Sequence, residues 1–304
     1  MTVKSSTRKI ALCVVAGVVL VGSARAAPVG VSPAAERFTL GQFQGYVLRD
    51  ALNVVPNDGK VFGVDAGAAK VAAVLKGGGA PTDKVTLGVD ALLIETPDRL
   101  VLLDSGLGPK AGGALMRSLA LTGKRPDAVT DILITHGHGD HIGGLLTADG
   151  KPAFPKATIH MAAQEWSWIQ SQPANQPYVD ALSGAVKTFE PGDVVIPGFR
   201  AIAIAGHTPG HVGYEITSGK AKLLDIGDTA HSALISLAHP EWSNGYDTDA
   251  ALARTSREGE FAQLAASHER IFAPHFPFPS LGVIVKVGKA YAWRPAPLRQ
   301  KPTA

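Results

Sequence analysis

The stretch THGHGDHIGG, residues 135–144, decides how the rest of the sequence is interpreted. It holds three histidines and one aspartate within six positions: His136, His138, Asp140 and His141. Neutral imidazole and carboxylate groups both bind divalent first-row metals, and the intervening glycines let the backbone turn tightly. His136 and His138 are two residues apart and can face one ion, which leaves Asp140 and His141 for a second. The other interpretation is a solvated polar loop.

Three further ligand-type residues occur later, each as the first strong ligand after a short apolar segment. His207 follows AIAIA, Asp228 follows KLLDI and His275 follows RIFA, just as the first motif follows DILIT. Ligand sites in α/β folds form where strands end, so we expect these residues to meet. Together they supply five histidines and two carboxylates, enough for two divalent ions bridged by one carboxylate and one hydroxide.

The order of apolar and polar segments predicts an α/β fold. Strand-like segments rich in β-branched residues occupy 37–55 and 85–106. Strands and helices then alternate, with helices predicted at 111–123, 162–170 and 247–269, the last with Asp247 as its N-cap. A closing hairpin is predicted at 283–295. Sheets covered by helices follow from this order.

The first 26 residues have the three parts of a secretory signal peptide. MTVKSSTRK is basic, IALCVVAGVVLVG is apolar, and Ala24-Arg25-Ala26 is a small-x-small cleavage pattern. The apolar run is shorter than the roughly 20 residues that span a bilayer; an uncleaved anchor is the alternative. We therefore predict a signal peptide at 1–26 and a single mature domain at 27–304, periplasmic or secreted, without stable membrane insertion.

Composition narrows the function further. The 29 Lys and Arg against 26 Asp and Glu give +3, but the predicted signal carries four of these cations and no acid, leaving −1. The predicted mature chain therefore has no surplus of positive charge that would favour nucleic-acid binding. The only cysteine, Cys13, lies in the signal, so any metal must be bound through nitrogen and oxygen. Zinc fits these donors, and manganese, iron and cobalt stay open.

The ordered motifs HxHxDH, GHTPGH, strand-GD and a late histidine resemble the metallo-β-lactamase superfamily. The resemblance implies a four-layer αββα sandwich with the site at one edge of its two sheets. It implies that one ion is held by His136, His138 and His207, and the other by Asp140, His141 and His275, with Asp228 bridging. LLDSG, residues 102–106, is similar to the early strand motif in which Asp104 supports the site.

Several features narrow which branch of this superfamily the chain resembles. The bridging Asp228 is unlike true β-lactamases, and His138 stands where the oxygen-reducing branch has Glu. Only 29 residues follow His275, too few for the helical C-terminal domain of the glyoxalase II type. ITHGHGDHIGGL and HFPFPSLGVIVKVGKAYAWRP resemble the methyl parathion hydrolase group, near the quorum-quenching lactonases. The resemblance implies hydrolysis of a phosphotriester, a lactone or another ester.

The expected mechanism needs no protein nucleophile. Two ions would lower the pKa of a bridging water to give hydroxide, and Asp140 could also carry the proton. The sequence contains no GxSxG motif that would indicate a serine mechanism. A β-lactam-hydrolysing enzyme and a non-catalytic periplasmic metal-binding protein remain as alternatives.

Other polar and aromatic residues near the motifs have two interpretations each. His211 is expected to support the site, and His231 either touches substrate or belongs to a polar loop. Aromatic side chains could line an apolar pocket or belong to the core: Trp166, Trp168, Phe276 and Phe278. Three histidines are taken as ordinary surface or core residues: His160, His239 and His268. The partner is a small-molecule substrate, and a homodimer is compatible with the sequence but not required.

Overall fold

A computed structural model describes residues 27–296, so the predicted signal peptide at 1–26 lies outside the described residues. An eight-stranded sheet comes first along the chain, in the order β1-β3-β4-β5-β6-β7-β8 with β2 paired to β3. Its strands are β1 (Ala27–Val29), β2 (Ala35–Leu40), β3 (Phe43–Pro56), β4 (Lys84–Glu95), β5 (Leu100–Leu103), β6 (Asp131–Leu133), β7 (Thr158–Ala162) and β8 (Val186–Phe189).

A seven-stranded sheet follows, in the order β15-β14-β13-β12-β11-β10-β9. Its strands are β9 (Val194–Ile196), β10 (Phe199–Ala203), β11 (Val212–Ser218), β12 (Ala221–Asp225), β13 (Ile271–Phe272), β14 (Leu281–Val287) and β15 (Ala290–Pro295). The last two form the predicted closing hairpin, which is confirmed.

The two sheets pack face to face because successive side chains of a strand point to opposite faces. In β4, Leu92 and Ile94 join the apolar layer between the sheets, whereas Ala91 and Leu93 face outward toward helices. The second sheet contributes Phe199, Tyr214, Leu223 and Phe272 to the same inner layer. Strands such as β5 are fully buried, as expected for strands covered on both faces.

Helices cover both outer faces. The α-helices are α1 (Ala68–Gly77), α2 (Leu115–Leu121), α3 (Gly139–Ile142), α4 (Ala163–Ser171), α5 (Gln176–Leu182), α6 (Ile235–Ala238) and α7 (Ala250–Ser267). Helices α2, α4 and α5 pack on the first sheet, and α6 and α7 on the second. The predicted four-layer αββα sandwich is therefore confirmed. Among the described residues no helix is long and apolar enough to cross a membrane.

The prediction that Asp247 caps the last long helix is wrong. Helix α7 begins at Ala250, and the Asp249 carboxylate accepts a hydrogen bond from the Leu252 amide at 3.0 Å. Both aspartates are suitable N-cap residues by type. Asp247 lies outside the helix and belongs to the site described next.

Candidate metal centre

All seven ligand-type residues predicted from the sequence lie together at one edge of the sandwich. His136 and His138 follow β6, and α3 carries Asp140 and His141. From the second sheet, the residues after β10, β12 and β13 reach the same place; they are His207, Asp228 and His275. Both sheets therefore contribute to the site.

Three imidazoles converge in the first donor cluster. His136 Nε2 lies 3.1 Å from His138 Nδ1 and 3.2 Å from His207 Nε2, and the last two atoms are 2.9 Å apart. Nitrogen ligands around tetrahedral zinc are separated by about 3.3 Å, since the Zn–N bond is about 2.0–2.1 Å. Asp228 Oδ2 lies 3.2 Å from His207 Nε2 and 3.5 Å from His136 Nε2. These four residues could hold one divalent ion.

The second donor cluster contains Asp140, His141 and His275. The Asp140 carboxylate lies 3.8 Å from the Nε2 atom of each histidine. Asp228 Oδ1 is 3.2 Å from His141 Nε2 and 3.0 Å from His275 Nε2. Asp228 therefore faces both clusters, as expected of a bridging carboxylate.

Three buried atoms at the junction lack hydrogen-bond partners among residues 27–296: His141 Nε2, His231 Nε2 and Asp228 Oδ1. Buried polar atoms are almost always paired with protein, water or an ion. Imidazole nitrogen and carboxylate oxygen are also donors that zinc accepts. The side chains present therefore fit two divalent ions.

Neighbouring groups fix which nitrogen of each histidine is free. His141 Nδ1 donates to Asp104 Oδ2 at 2.7 Å, and Asp104 also accepts from the amide and hydroxyl of Thr135. His275 Nδ1 donates to the Gly88 carbonyl at 2.6 Å. A neutral ring that donates from Nδ1 leaves Nε2 unprotonated and ready to bind a metal. The structure thus places Asp104 beside the site.

Asp247 has the same role for His207, although no sequence pattern indicated this contact. His207 Nδ1 donates to Asp247 Oδ1 at 3.0 Å, and the Arg257 guanidinium lies 3.4 Å from Asp247 Oδ2. The Asp247 side chain is fully buried. An aspartate close to a predicted helix start has a simpler interpretation as a cap, which concealed this contact.

Glu165 is a second residue that sequence reasoning missed. Its carboxylate accepts from the Gly137 amide at 2.6 Å, the Thr208 hydroxyl at 2.8 Å and the Gly210 amide at 2.9 Å. It therefore ties the loop that carries His136 and His138 to the loop that carries His207. A Cβ on Gly210 would lie 2.3 Å from the Glu165 backbone nitrogen, so this close approach requires glycine.

His211 uses both ring nitrogens within the protein. Its Nδ1 donates to the Ile204 carbonyl at 2.7 Å, and its Nε2 accepts from the Asp228 amide at 2.9 Å. Burial lowers the pKa of His211 to about 3, so the ring is neutral. The structure thus places His211 behind Asp228, where it fixes the turn that carries this carboxylate.

The protonation states of His136, His138 and Asp228 suit metal binding. Burial lowers the pKa of His136 well below its ordinary value and lowers that of His138 to about 3. For Asp228, burial alone would raise the pKa, but the surrounding imidazoles, His275 foremost, outweigh burial and hold the pKa well below its ordinary value. His136 and His138 therefore offer unprotonated imidazoles, and Asp228 offers an ionised carboxylate, near neutral pH.

His207 has the opposite shift. Burial alone would lower its pKa, but contacts with Asp228 and Asp247 outweigh burial and raise the pKa to about 9. A metal at Nε2 competes with this proton, so metal affinity depends on pH.

A cavity of about 840 Å³ lies against the metal centre. Its floor includes His138, Asp140, Asp228, His231 and His275. Its walls are mostly apolar and include Leu87, Leu107, Pro109, Ala111, Leu146, Pro177 and Tyr178. Ligand sites are commonly concave, apolar and equipped with a few polar groups, and this cavity has that character.

The four aromatic residues predicted for the pocket do not line this cavity, which corrects the prediction. Trp166 and Trp168 pack against the outer core of the first sheet, with the Trp168 ring edge-on to His138 at 5.8 Å between centroids. Phe276 is buried under α7, and Phe278 packs near the inner core. Helix α4 and the chain after His275 turn toward the core, so these rings complete packing layers. His231 does line the cavity.

Comparison with known proteins agrees with this geometry. The structure of AidC, described as a dizinc quorum-quenching lactonase with its product N-hexanoyl-L-homoserine, matches with a TM-score of 0.83 and 28% identity, covering 87% of this chain and 98% of that chain. The hydrolase AbOPH of the beta lactamase superfamily matches with a TM-score of 0.80 and 30% identity, covering 88% and 98%.

Matches to curated relatives are partial. A hydroxyacylglutathione hydrolase from Pseudomonas entomophila (strain L48) is 33% identical over 119 residues, 38% of this chain and 39% of the relative. Metallo-beta-lactamase domain-containing protein 1 from Mus musculus is 53% identical over 59 residues, 19% of this chain and 20% of the relative. The chain thus spans well under half of either relative.

The family model of the metallo-beta-lactamase superfamily matches residues 85–275. The matched segment runs from β4 to His275, the last of the ligand-type residues, and so contains both donor clusters. With its sandwich fold and this match, the chain belongs to the metallo-beta-lactamase superfamily.

Proposed function

We propose that this protein is a dinuclear metal-dependent hydrolase that opens lactones carrying an apolar arm, with N-acyl homoserine lactones as the substrate class. One observation carries the proposal: the Asp228 carboxylate faces two donor clusters on the floor of a largely apolar cavity. Support comes from AidC, whose product is an acyl homoserine. An apolar wall suits an acyl chain, because burial of methylene groups is favourable.

The donor sets assign two ions. One would be held by His136, His138, His207 and Asp228, and the other by Asp140, His141, His275 and Asp228. Zinc is the ion proposed, from its preference for imidazole and carboxylate. When bound, two such ions lower the pKa of water and polarise the attacked oxygen.

His231 is assigned a different role from the other histidines of the site. The Tyr246 amide donates to Asn244 Oδ1 at 3.0 Å, which turns Asn244 Nδ2 toward His231 Nδ1 at 2.9 Å. The Asn244 amide then donates to Nδ1, so the proton of the neutral ring must be on Nε2. His231 Nε2 lies at the cavity, 3.1 Å from Asp228 Oδ2. We therefore assign His231 as a hydrogen-bond donor to a substrate oxygen.

Asp140 is assigned the proton transfer. Its side chain is 22% exposed, lies at the cavity and faces the Nε2 atoms of His141 and His275. Lactone opening adds water to the carbonyl carbon and breaks the ring C–O bond, so the leaving oxygen needs a proton. A carboxylate that reaches the cavity can take a proton from water and return it to that oxygen.

Catalysis is favoured over metal storage because the donor clusters are open on one side. A storage site closes the coordination shell, whereas a catalytic site keeps a position for water or substrate. Here Asp140, Asp228 and His275 all contribute to the cavity floor.

The test uses protein purified without chelator. Bound metals are counted by elemental analysis, and the same sample is assayed on acyl homoserine lactones, phosphotriesters, aryl esters and β-lactams. We expect two ions per chain and preferred turnover of lactones. Asp228→Asn should lose at least one ion and lower kcat/KM by at least about 10²-fold.

A matched control is His268→Asn. His268 is exposed at the end of α7 with φ of 53°, a conformation that Asn accepts readily. This variant removes one imidazole and should keep both ions and full turnover. If the protein binds two ions but prefers phosphotriesters or β-lactams, that substrate class replaces lactones in the proposed function. If it binds two ions and turns over none of the substrates, the result establishes metal storage.

A further inference from the structure

Asn53 is a polar residue in an apolar position of β3. Ala51 and Val55, two residues to either side, are buried on the same face of the strand. Asn53 is itself only 5% exposed, and it lines the cavity above the metal centre. A leucine at this position would satisfy packing equally well, so the amide needs another explanation.

The Asn53 side chain lacks the partner that a buried amide requires. Its Oδ1 atom is buried and has no hydrogen-bond partner within the described part of the chain, residues 27–296. Such a group weakens the folded state unless it becomes paired, so unpaired buried polar groups in native proteins point to a function. Asn53 lines the cavity, so a ligand there can supply the partner that the fold does not, once the amide rotates its Oδ1 toward the cavity.

Strand register places Asn53 next to the second donor cluster. On β4, Leu87 is paired with Asn53 and Gly88 with Leu52. The Gly88 carbonyl accepts from His275 Nδ1, and Leu87 lines the same cavity. A substrate with its reacting ring at the metal centre would therefore pass Asn53 with the first atoms of its side arm.

Other polar residues of the cavity wall are less suited to this role. The Thr147 hydroxyl already bonds Asp149 and the Lys151 carbonyl. Lys110 is exposed and Tyr178 is half-buried. Asn53 combines burial, an unpaired atom and a place in the wall.

We propose that Asn53 is a specificity-determining residue that hydrogen-bonds the amide group of the substrate's acylamino arm. A terminal amide offers both N–H donors and a carbonyl acceptor, so a secondary amide is its complement, whereas an alkyl arm has nothing to pair with it. The inference rests on the proposed lactonase function and adds the group by which the enzyme selects its lactone.

The test compares two lactones in the metal-loaded enzyme. One is N-hexanoyl homoserine lactone, and the other is a γ-lactone with an alkyl arm of equal length and no amide. Asn53→Leu should lower kcat/KM for the acylamino lactone by roughly 10- to 100-fold, mainly through KM, because the contact is remote from the reacting bond. The kcat/KM for the alkyl lactone should not change.

Two controls keep the result specific. Leu87→Val changes the residue paired with Asn53 across the strands and should affect both lactones by the same factor. Asn53→Ala repeats the test with a smaller side chain if leucine disturbs folding. The Tm of Asn53→Leu should not fall, because an unpaired buried amide is replaced by an apolar group of similar size.

The outcomes separate this inference from the proposed function. If the wild-type enzyme opens neither lactone, the proposed function fails and this inference fails with it. If the wild type opens both lactones and Asn53→Leu lowers kcat/KM for both by the same factor, the proposed lactonase function is supported and the role of Asn53 is refuted. A clear fall in Tm for Asn53→Leu would show a structural role and would also refute it.

Discussion

A single hydrogen bond decides what each histidine of the site can do. In His141, His207 and His275 the Nδ1 atom faces an acceptor, so Nε2 is left for a metal. In His231 the Nδ1 atom faces the amide donor of Asn244, and Nε2 keeps its proton. Identical side chains therefore have opposite chemistry because of neighbours that are distant in sequence.

The tautomer of His231 leads to a prediction at this scale. His231→Phe keeps an aromatic ring and removes the donor, so kcat should fall about 10²-fold, the usual effect of deleting one preorganised donor. His231→Gln can place a donor near the former Nε2 position and should recover part of this loss. Metal content should stay at two ions in both variants, measured on the kinetic samples. Loss of an ion in His231→Phe would instead make His231 a ligand.

The residue scale also shows what sequence could reveal about the site. Ligands such as His207 and Asp228 were predictable, because their side chains are chemically distinctive and each follows a short apolar strand. Glu165 and Asp247 were not, since their partners lie 28 to 45 positions away in the chain. An isolated acid in a sequence does not show which amide or imidazole it meets.

Among the elements, the three-residue strand β6 carries the first metal-binding motif and is held at its start by Asp131. The Asp131 carboxylate bonds the Arg99 guanidinium at 2.8 Å, His160 Nε2 at 2.9 Å and the Thr130 hydroxyl at 2.8 Å. Arg99 precedes β5 and His160 lies on β7. The cluster therefore joins three adjacent strands just before the motif, and it gives His160 a structural role.

This cluster predicts a pH dependence of stability. Burial alone would raise the pKa of Asp131, but its bonds to His160, Thr130 and Arg99 outweigh burial and lower the pKa to about 2. A carboxyl with a lowered folded-state pKa stabilises the fold above its unfolded pKa of about 4, and this contribution is lost as pH falls toward 2. Asp131→Asn should therefore cost about 1–3 kcal/mol at pH 7 and much less near pH 2.

Urea unfolding of metal-free protein at several pH values measures the difference. Asp127→Asn serves as the control, because Asp127 pairs with Arg125 in an exposed turn and exposed pairs contribute little. An Asp131→Asn deficit that is the same at pH 7 and pH 2 would contradict the assignment.

Element types followed from sequence better than element boundaries did. The apolar, β-branched composition of residues 85–106 predicted β4 and β5 as strands, since composition depends only on local side chains. The start of α7 was placed too early, because Asp247 and Asp249 are both suitable caps and only tertiary contacts, here with His207, distinguish them.

For the molecule as a whole, the metal centre connects the two sheets. The first sheet supplies the residues after β6, and the second supplies those after β10, β12 and β13. Ions held by both sets would cross-link the layers where the sandwich is otherwise open to the cavity. Their contribution to stability should therefore be global.

Chelation tests this directly. An ion that binds only the folded state stabilises it by RT ln(1 + [L]/Kd), about 4 kcal/mol at a thousand times Kd. Excess EDTA should then lower the Tm by on the order of 10 °C, and re-addition of zinc should restore it. Asp228→Asn should show a smaller response, measured by differential scanning calorimetry. An unchanged Tm in wild type would mean that the centre does not link the sheets energetically.

The cavity itself could not be predicted from the sequence. Its wall combines Pro28 on β1, Leu107 after β5 and Pro177 on α5, residues with no common pattern or spacing. The aromatic residues near the motifs suggested a lining that the packing of α4 and of the chain after His275 does not allow.

The division between floor and wall has a consequence for how such an enzyme can change. The floor is set by strand ends and by carboxylates and carbonyls that hold each imidazole. Much of the wall belongs instead to two segments outside both sheets, 107–111 and 174–178, and neither supplies a metal donor. Natural variation or a mutant library confined to these segments would change which substrates are accepted and leave the reaction chemistry intact. Substrate preference and catalytic competence can therefore evolve separately.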